Sequence, residues 1–327
     1  MKLNLSALKI DLRTVVFQYK ENTFAEIHAH FDNDIKIKAY LSADTAFATI
    51  EKAGHLIKSK YNANQIGAIH LNIMPQIGLI REDEPKLSDD TIIRDMDTRL
   101  CSRHFRNELY MFRKEHFDTF KQIAQSTWPG LRINSLDYDL EDNKMRLYVY
   151  DANYSAEIGL MGSGLQMWLQ MVWFISRCPT DCTIVLDEPD VYMHPDLQRK
   201  IYKIVSTRFR QVIIATHSVE IISAAEPHQI ATVDKLTRKM RYANNYKAVQ
   251  SVITNLGSEQ NLSLTRLGNS KKCVFVEGRD IKTLLRFQTI VDPLYQIPID
   301  HIPSVPLGGW SRFDEALGAS RLFYEET

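Results

Sequence analysis

No run of this sequence stays apolar for the roughly 18 residues a membrane-spanning helix needs. The first twelve residues mix apolar with polar and charged side chains and do not read as a secretory signal peptide. An excess of either charge is also lacking, since 40 basic and 40 acidic residues cancel. No global field therefore marks a nucleic-acid partner, and any such contact must come from a local patch. Cysteine is sparse, at Cys101, Cys178, Cys182 and Cys273. Cys178 and Cys182 are spaced C-x3-C with no second pair, so reduced thiols are expected there rather than zinc, and a cytoplasmic location with no membrane partner follows. Internal repeats and low-complexity stretches are missing too. What is present is 327 residues with 44% hydrophobic content, enough for a buried core in one large domain or two ordinary ones.

The first part reads as strand-rich. Residues 14–19, 25–31 and 34–41 alternate in the manner of half-buried strands, and 67–73 is a further strand candidate running into Met74, Pro75 and Gln76. Phe105, Leu109, Phe112, Phe120 and Ile123 recur at three- and four-residue steps, which predicts a helix over 103–126, closed by Trp128, Pro129 and Gly130. Residues 133–150 predict a hairpin, with Leu136, Tyr138 and Leu140 on one arm and Met145, Leu147 and Val149 on the other. From Gly159 the pattern becomes helix, strand, helix, strand, as in a parallel α/β sheet. A polar break over 256–271 reads as a linker, and a new strand starts near Cys273.

Three segments carry candidate chemistry. Thr183 to Asp187 is a short apolar strand ending in two acids, Asp187 and Glu188, followed by Pro189. In α/β proteins ligands sit at the carboxyl ends of strands. Asp187 is placed to hold Mg²⁺, which prefers hard oxygen ligands, and Glu188 to orient or deprotonate an attacking water. Taken alone, the pair is equally a strand running into a solvated acidic turn. Val212 to Ala215 reads as a second buried strand, leading to Thr216, His217 and Ser218. His217 could contact a γ-phosphate, or be a hydrogen-bonded strand-end histidine. Upstream, Gly162, Ser163, Gly164, Leu165 and Gln166 precede an apolar helix through Trp168, Leu169, Val172 and Ile175. Ser163 is expected to cap that helix, and the glycines would let a phosphate reach its free N–H groups.

The order and spacing of these segments resemble ABC-type ATPase heads of the SMC and RecF kind. Gly162 to Gln166 resembles the signature loop, although the usual form has a leucine before the serine. Asp187 and Glu188 resemble Walker B, and His217 the switch histidine. The run from Glu188 through His194, Pro195 and Gln198 is similar to the E-P-E-x-x-L-H-P-x-x-Q run of the OLD (overcoming lysogenisation defect) family and its AAA-like relatives, and Thr216 to Ile222 to their T-H-S-P-x-x-L segment, with Val219 in place of proline. Gln76 stands where such heads could place a Q-loop glutamine. Residues 272–280 resemble the opening of a TOPRIM domain, with Glu277 as its first catalytic acid and metal ligand, Asp280 as a following acid, and Leu307, Gly308 and Gly309 as the next strand and glycine turn.

The resemblance implies an α/β chain. An ABC-type ATPase domain would span 1–255, a linker 256–271 and a partial TOPRIM domain 272–327. It implies ATP and Mg²⁺ or another divalent metal as cofactors, a homodimer or higher homo-oligomer through the head, nucleic acid (DNA first) as partner, and ATP-controlled cleavage in antiphage defence. The phosphate-binding motif G-x-x-x-x-G-K-[ST] does not occur in the sequence, and no D-x-D follows Glu277 to complete TOPRIM. A fragment or degraded relative of a longer protein is therefore expected, able to offer Gly162 to Gly164 in trans. Two alternatives stand beside this: a regulatory module that dimerises with a complete partner ATPase, and a RecF-like DNA-repair head. Arg199, Lys200, Lys203, Arg208 and Arg210, and further on Lys235, Arg238, Lys239 and Arg241, form basic clusters that read first as solvated faces.

Overall fold

The computed structural model describes residues 24–42, 45–57, 71–234, 237, 239–256, 273–277, 281–291, 302 and 304–307. The chain is mixed α/β and divides into two compact units, Met1–Thr216 and His217–Thr327.

The first unit begins with an antiparallel meander of β1 (Ala25–His30), β2 (Ile35–Leu41), β3 (Ala46–Lys52) and β4 (His55–Leu56). The strands expected at 25–31 and 34–41 form, but the expected alternation does not hold along them: Ile27 is exposed, and from Ile37 to Leu41 β2 is half-buried on both faces, while β3 does alternate. Ile35, Ala46 and Ala48 are buried, while Lys36 and Phe47 are exposed. The strand expected at 14–19 lies outside the described residues. Of the strand expected at 67–73, Leu71–Ile73 is described, as β5.

The helix expected over 103–126 is two helices. After β6 (Glu84–Pro85) and α1 (Asp89–Asp95), a 3-10 turn at Cys101–Arg103 leads into α2 (Phe105–Met111) and then α3 (Arg113–Thr127). The break is Phe112, at φ −103° and ψ 20°. Apolar periodicity runs on through it, which is why the sequence reads as one helix. The two pieces have different surroundings. Phe105 to Leu109 are all buried, whereas α3 buries Phe120 and Ala124 and keeps an outer polar face.

The hairpin is β7 (Leu131–Asp139) and β8 (Lys144–Asp151), with β6 and β9 (Tyr154–Glu157) also paired to β8. Met145, Leu147 and Val149 form one buried row, as expected. On β7 a register shift between Ile133 and Leu136 breaks the row. Leu140 is 79% exposed and sits past the end of its arm, a correction to the expected alternation.

A central helix, α4 (Ser163–Arg177), follows a 3-10 turn at Ile158–Leu160, and every residue from Leu165 to Ser176 is buried. Its Trp173 meets Phe120 edge-on at 5.7 Å, and Phe120 meets Phe105 the same way at 6.4 Å. Then come β10 (Thr183–Asp187), α5 (Pro195–Arg208) and β11 (Gln211–Ala215). The strands β11, β10 and β5 form a parallel sheet in that order, so the alternation from Gly159 onward gives the parallel arrangement it predicts. Ile184 and Leu186 are fully buried. β11 was expected to be buried, but it is an edge among the described strands, and its Ile213 is half exposed.

In the second unit α6 (Val219–Ala224), the hairpin β12 (Ala231–Asp234) and β13 (Lys239–Tyr242), and α7 (Tyr246–Asn255) gather a small core of Ile222, Ile230, Val249 and Ile253. Further on, β14 (Val274–Val276), α8 (Ile281–Val291) and β15 (Ser304–Pro306) follow, with β14 and β15 parallel.

Candidate nucleotide-binding site

The carboxyl edge of the parallel sheet gathers three of the candidate residues. Asp187 ends β10 and is exposed, and Glu188 follows it, half-buried. The Glu188 N–H donates to the Ala215 carbonyl at 2.8 Å, so the residue is tied to the end of β11. Its φ of 47° lies in the left-handed region, which turns the chain sharply off the strand at the cost of local strain. On the other side of β10, β5 runs in register with Ile73 opposite Val185, and the Met74 N–H extends the ladder to the Val185 carbonyl at 2.9 Å. Gln76, exposed, lies two residues beyond that bond, at the same edge as Asp187.

The run after Glu188 is held by its own side chains. The Thr216 hydroxyl donates to Asp190 Oδ1. Gln198 Nε2 donates to the Met193 carbonyl at 2.9 Å and reaches the Asp190 carbonyl at 3.4 Å. His194 takes the cap position of α5 and accepts from the Asp196 N–H, with Pro195 in the first turn. The histidine, proline and glutamine of this stretch therefore shape the loop that presents Glu188.

The glycine–serine loop sits at the start of α4. The cap residue is Gly162, without a side-chain bond, and Ser163 is the first helical residue; the expected Ser163 cap is not formed, because the helix starts one residue earlier than that role requires. Gly162 and Ser163 are exposed. A Cβ on Gly164 would stand 3.4 Å from the Tyr192 carbonyl, so the loop lies against the segment after Glu188. Gln166 points inward. Its Oε1 accepts from the Ile80 N–H at 2.8 Å, and its Nε2 donates to the carbonyls of Met161 and Gly159.

Two supports were not foreseen. One is a buried ionic cluster beneath the loop. Arg106 donates to Glu84 from Nη1 and to Glu157 from Nε and Nη2, Glu84 also accepts from Asn107, and Glu157 accepts from the N–H groups of Leu147 and Gly159. Every lone pair the cluster buries thus has a donor close by, as buried charge demands. The other is Gln170, whose Nε2 donates to the Gly78 carbonyl at 2.8 Å while Ser102 Oγ accepts from the Gly78 N–H at 2.6 Å. A glutamine pair four residues apart in an otherwise apolar helix was the available signal.

The remaining candidates fall in the second unit. His217 opens it, and Ser218 caps α6 by accepting from the Ile221 N–H at 3.1 Å. Glu277, exposed, follows β14 directly, and Asp280 lies outside the described residues, as do Gly308 and Gly309. Of the basic clusters, Arg199 pairs with Asp196, Lys200 donates to the Thr127 carbonyl, and Arg210 pairs with Asp32. Lys239 and Arg241 are exposed on β13, while Lys235 and Arg238 lie outside the described residues. No helix among the described residues is long and apolar enough to cross a membrane.

Solved structures with a similar course include an SMC head bound to the C-winged helix domain of ScpA, at 14% identity and a TM-score of 0.45, covering 69% of this chain and 76% of that one. An SMC head domain from Thermotoga maritima matches at 12% identity and a TM-score of 0.38, covering 71% and 83%. A head with an extended coiled coil from Pyrococcus furiosus, bound to the C-terminal domain of ScpA, matches at 10% and 0.42, covering 70% and 76%. No curated protein matches in sequence. The family described as "AAA domain, putative AbiEii toxin, Type IV TA system" matches residues 20–223, more than half of the chain, and the chain belongs to that family.

Proposed function

We propose that this chain is the ATP-handling head of an OLD-type ATPase–TOPRIM protein, which couples nucleotide turnover to metal-dependent nucleic-acid cleavage in a defence or toxin setting. The observation that carries the reading is the acidic pair Asp187 and Glu188 at the carboxyl edge of a parallel sheet, with Gln76 on the neighbouring strand's exit. In this reading Asp187 holds Mg²⁺ and Glu188 orients the attacking water. One or two carboxylates completed by phosphates and water suit that ion, and Asp187 is exposed at the edge. The bound ion would neutralise phosphate charge. The exposed Gly162 and Ser163 offer N–H groups at the start of α4 to the nucleotide of a second copy. His217, at the end of the same strand system in sequence, reports the γ-phosphate. The TOPRIM part, 272–327, rests on Glu277 directly after β14 and on the parallel pairing of β14 with β15 around α8. There Glu277 and Asp280 bind the divalent metal. The linker at 256–271 separates it from the head.

A second reading is favoured by the exposure of Gly162 and Ser163, which leaves the glycine–serine loop open to another molecule. In it the chain is a regulatory module that lends Glu188 and the glycine–serine loop to a complete partner ATPase.

ATP hydrolysis by the chain as given, beside Glu188→Gln and with and without DNA, separates the two. Turnover by the parent that the variant loses supports the first reading. Turnover that survives the change removes Glu188 from the chemistry. No turnover until a complete ATPase partner is added supports the second.

A further inference from the structure

Behind Gln76 the first unit holds a cavity of about 20 Å³, partly open to its surroundings, where Pro75 and Ile77 of the segment leaving β5 meet Glu108 of α2 and Gln170, Trp173 and Arg177 of α4. An internal water needs about 10–15 Å³ and two to four polar partners. Three atoms of the lining groups are buried without a hydrogen bond: Glu108 Oε1, Gln170 Oε1 and Arg177 Nε. With the carboxyl protonated on Oε1, since Oε2 accepts from Trp173, they comprise two donors and one acceptor, a set that one water molecule satisfies by accepting from the guanidinium and the acid O–H and donating to Gln170 Oε1. The Glu108 side chain is almost wholly withheld from solvent. Its other oxygen accepts from the Trp173 indole N–H at 3.1 Å, and Arg177 Nη2 stands 3.8 Å away, beyond hydrogen-bond contact. A carboxyl so buried, with one donor, favours the neutral acid.

We propose that this cavity is a built site for one ordered water and one proton, held between Glu108, Gln170 and Arg177, which joins α2 to the helix bearing the glycine–serine loop. Gln170 already bonds the Gly78 carbonyl with its amide nitrogen, and Gln166 the Ile80 N–H, so the water occupies the open end of an existing clasp. Ionisation of Glu108 would draw Arg177 toward it and away from the water, loosening the clasp.

The charged and titratable groups that bear on Glu108 are Arg177 of α4, Glu84 of β6 and Asp97 after α1, with Cys101 lining the same cavity. Burial, opposed by Arg177 and the Trp173 bond, pushes Glu108 up to about 8, and burial pushes Cys101 up to about 11. His116, edge-on to Trp173, is lowered by burial and by Arg177 and titrates below the range of interest. What the clasp does for catalysis rests on the function proposed above; the site itself does not.

Tryptophan emission of the full chain, titrated from pH 6.5 to 10, tests the proton, since Trp173 bonds the carboxyl directly. The parent is expected to show a transition centred near pH 8 that Glu108→Gln and Trp173→Phe both lack, with circular dichroism confirming that each variant is folded. Superimposable curves for parent and Glu108→Gln, or a flat parent curve, overturn the proton. A crystal structure near pH 6.5 tests the water: density bridging Gln170 Oε1 and Arg177 Nε is expected, and an empty cavity overturns it. Neither measurement depends on ATP turnover, so failure here and failure of the proposed function are told apart.

Discussion

Arg106 and Glu157 meet edge to edge inside the first unit, with Nε 2.6 Å from Oε1 and Nη2 2.5 Å from Oε2. Glu84 lies on the other side of the same guanidinium. Removing the cation would leave two buried carboxylates facing each other, so Arg106→Met is expected to destabilise the protein by about 3–5 kcal/mol. Arg106→Lys should recover little, because a lysine cannot form the paired fork. Urea unfolding of both variants checks this; a loss under about 1 kcal/mol for the methionine variant would mean that the cluster is hydrated and not a support.

Two glycines near the loop should behave differently. A Cβ on Gly159 would stand 2.7 Å from the Arg81 carbonyl and 2.9 Å from Glu82 Cα, both backbone atoms that cannot swing aside. Gly159→Ala is therefore expected to cost about 1–3 kcal/mol. Around Gly162 nothing lies within 4 Å, and its φ of −56° suits any residue. Because it caps α4, where glycine outranks alanine, Gly162→Ala should cost no more than about 1 kcal/mol. If that variant nonetheless loses nucleotide-driven association, the loss reports close approach of a ligand, since the fold has little need of a glycine there.

How far the sequence could be read depended on whether a feature was local. β10 and its two acids, the parallel crossover to β11 and the start of α4 were legible because strand composition, helix periodicity and punctuation are encoded within a few residues. The break at Phe112 was not, because apolar spacing continues across it and only the burial of α2 on all sides tells the two helices apart. The Ser163 cap was misplaced by one residue, within the ordinary uncertainty of helix ends. The support of the site was invisible for another reason. Arg106 reaches Glu157 across 51 positions, and Gln170 reaches Gly78 across 92. No short-range pattern announces such pairs, and each residue alone reads as a solvated polar side chain.

Glu188 holds a backbone conformation that favours glycine, at φ 47°. For any residue with a Cβ this region costs roughly 1–2 kcal/mol, whereas at an ordinary site glycine is the worse choice by about 0.5–1 kcal/mol. Glu188→Gly is expected to unfold at higher denaturant than Glu188→Ala, by about 1 kcal/mol, the reverse of the usual order, while both lack turnover. The reverse ranking would show that the turn relaxes when the glutamate is removed.

The bond between Thr216 and Asp190 closes the loop that begins at Glu188. Hydrogen bonds to charged groups are worth about 1.5–3 kcal/mol, so Asp190→Ala should destabilise by that order. It should also lower turnover without touching a proposed ligand. Nucleotide affinity then tells position from binding: a fall in turnover with affinity kept places Asp190 among the positioning residues, and loss of affinity places it at the nucleotide.

The buried Glu108 gives the protein a dependence on pH of known sign. Burial raises its carboxyl from the ordinary 4.5 to about 8 in the folded chain. Between those values the folded protein keeps a proton that the unfolded chain has released. The stabilisation tied to that proton is complete below about 4.5 and is lost as pH rises through about 8. Glu108→Gln has no proton to release, so other groups cancel when it is compared with the parent. Its stability relative to the parent should climb by up to about 1.4 kcal/mol for each pH unit between these limits and level off above the upper one. Urea midpoints at pH 5, 6, 7, 8 and 9 measure that difference. A constant difference would mean that the carboxyl titrates alike in both states, and that water reaches it.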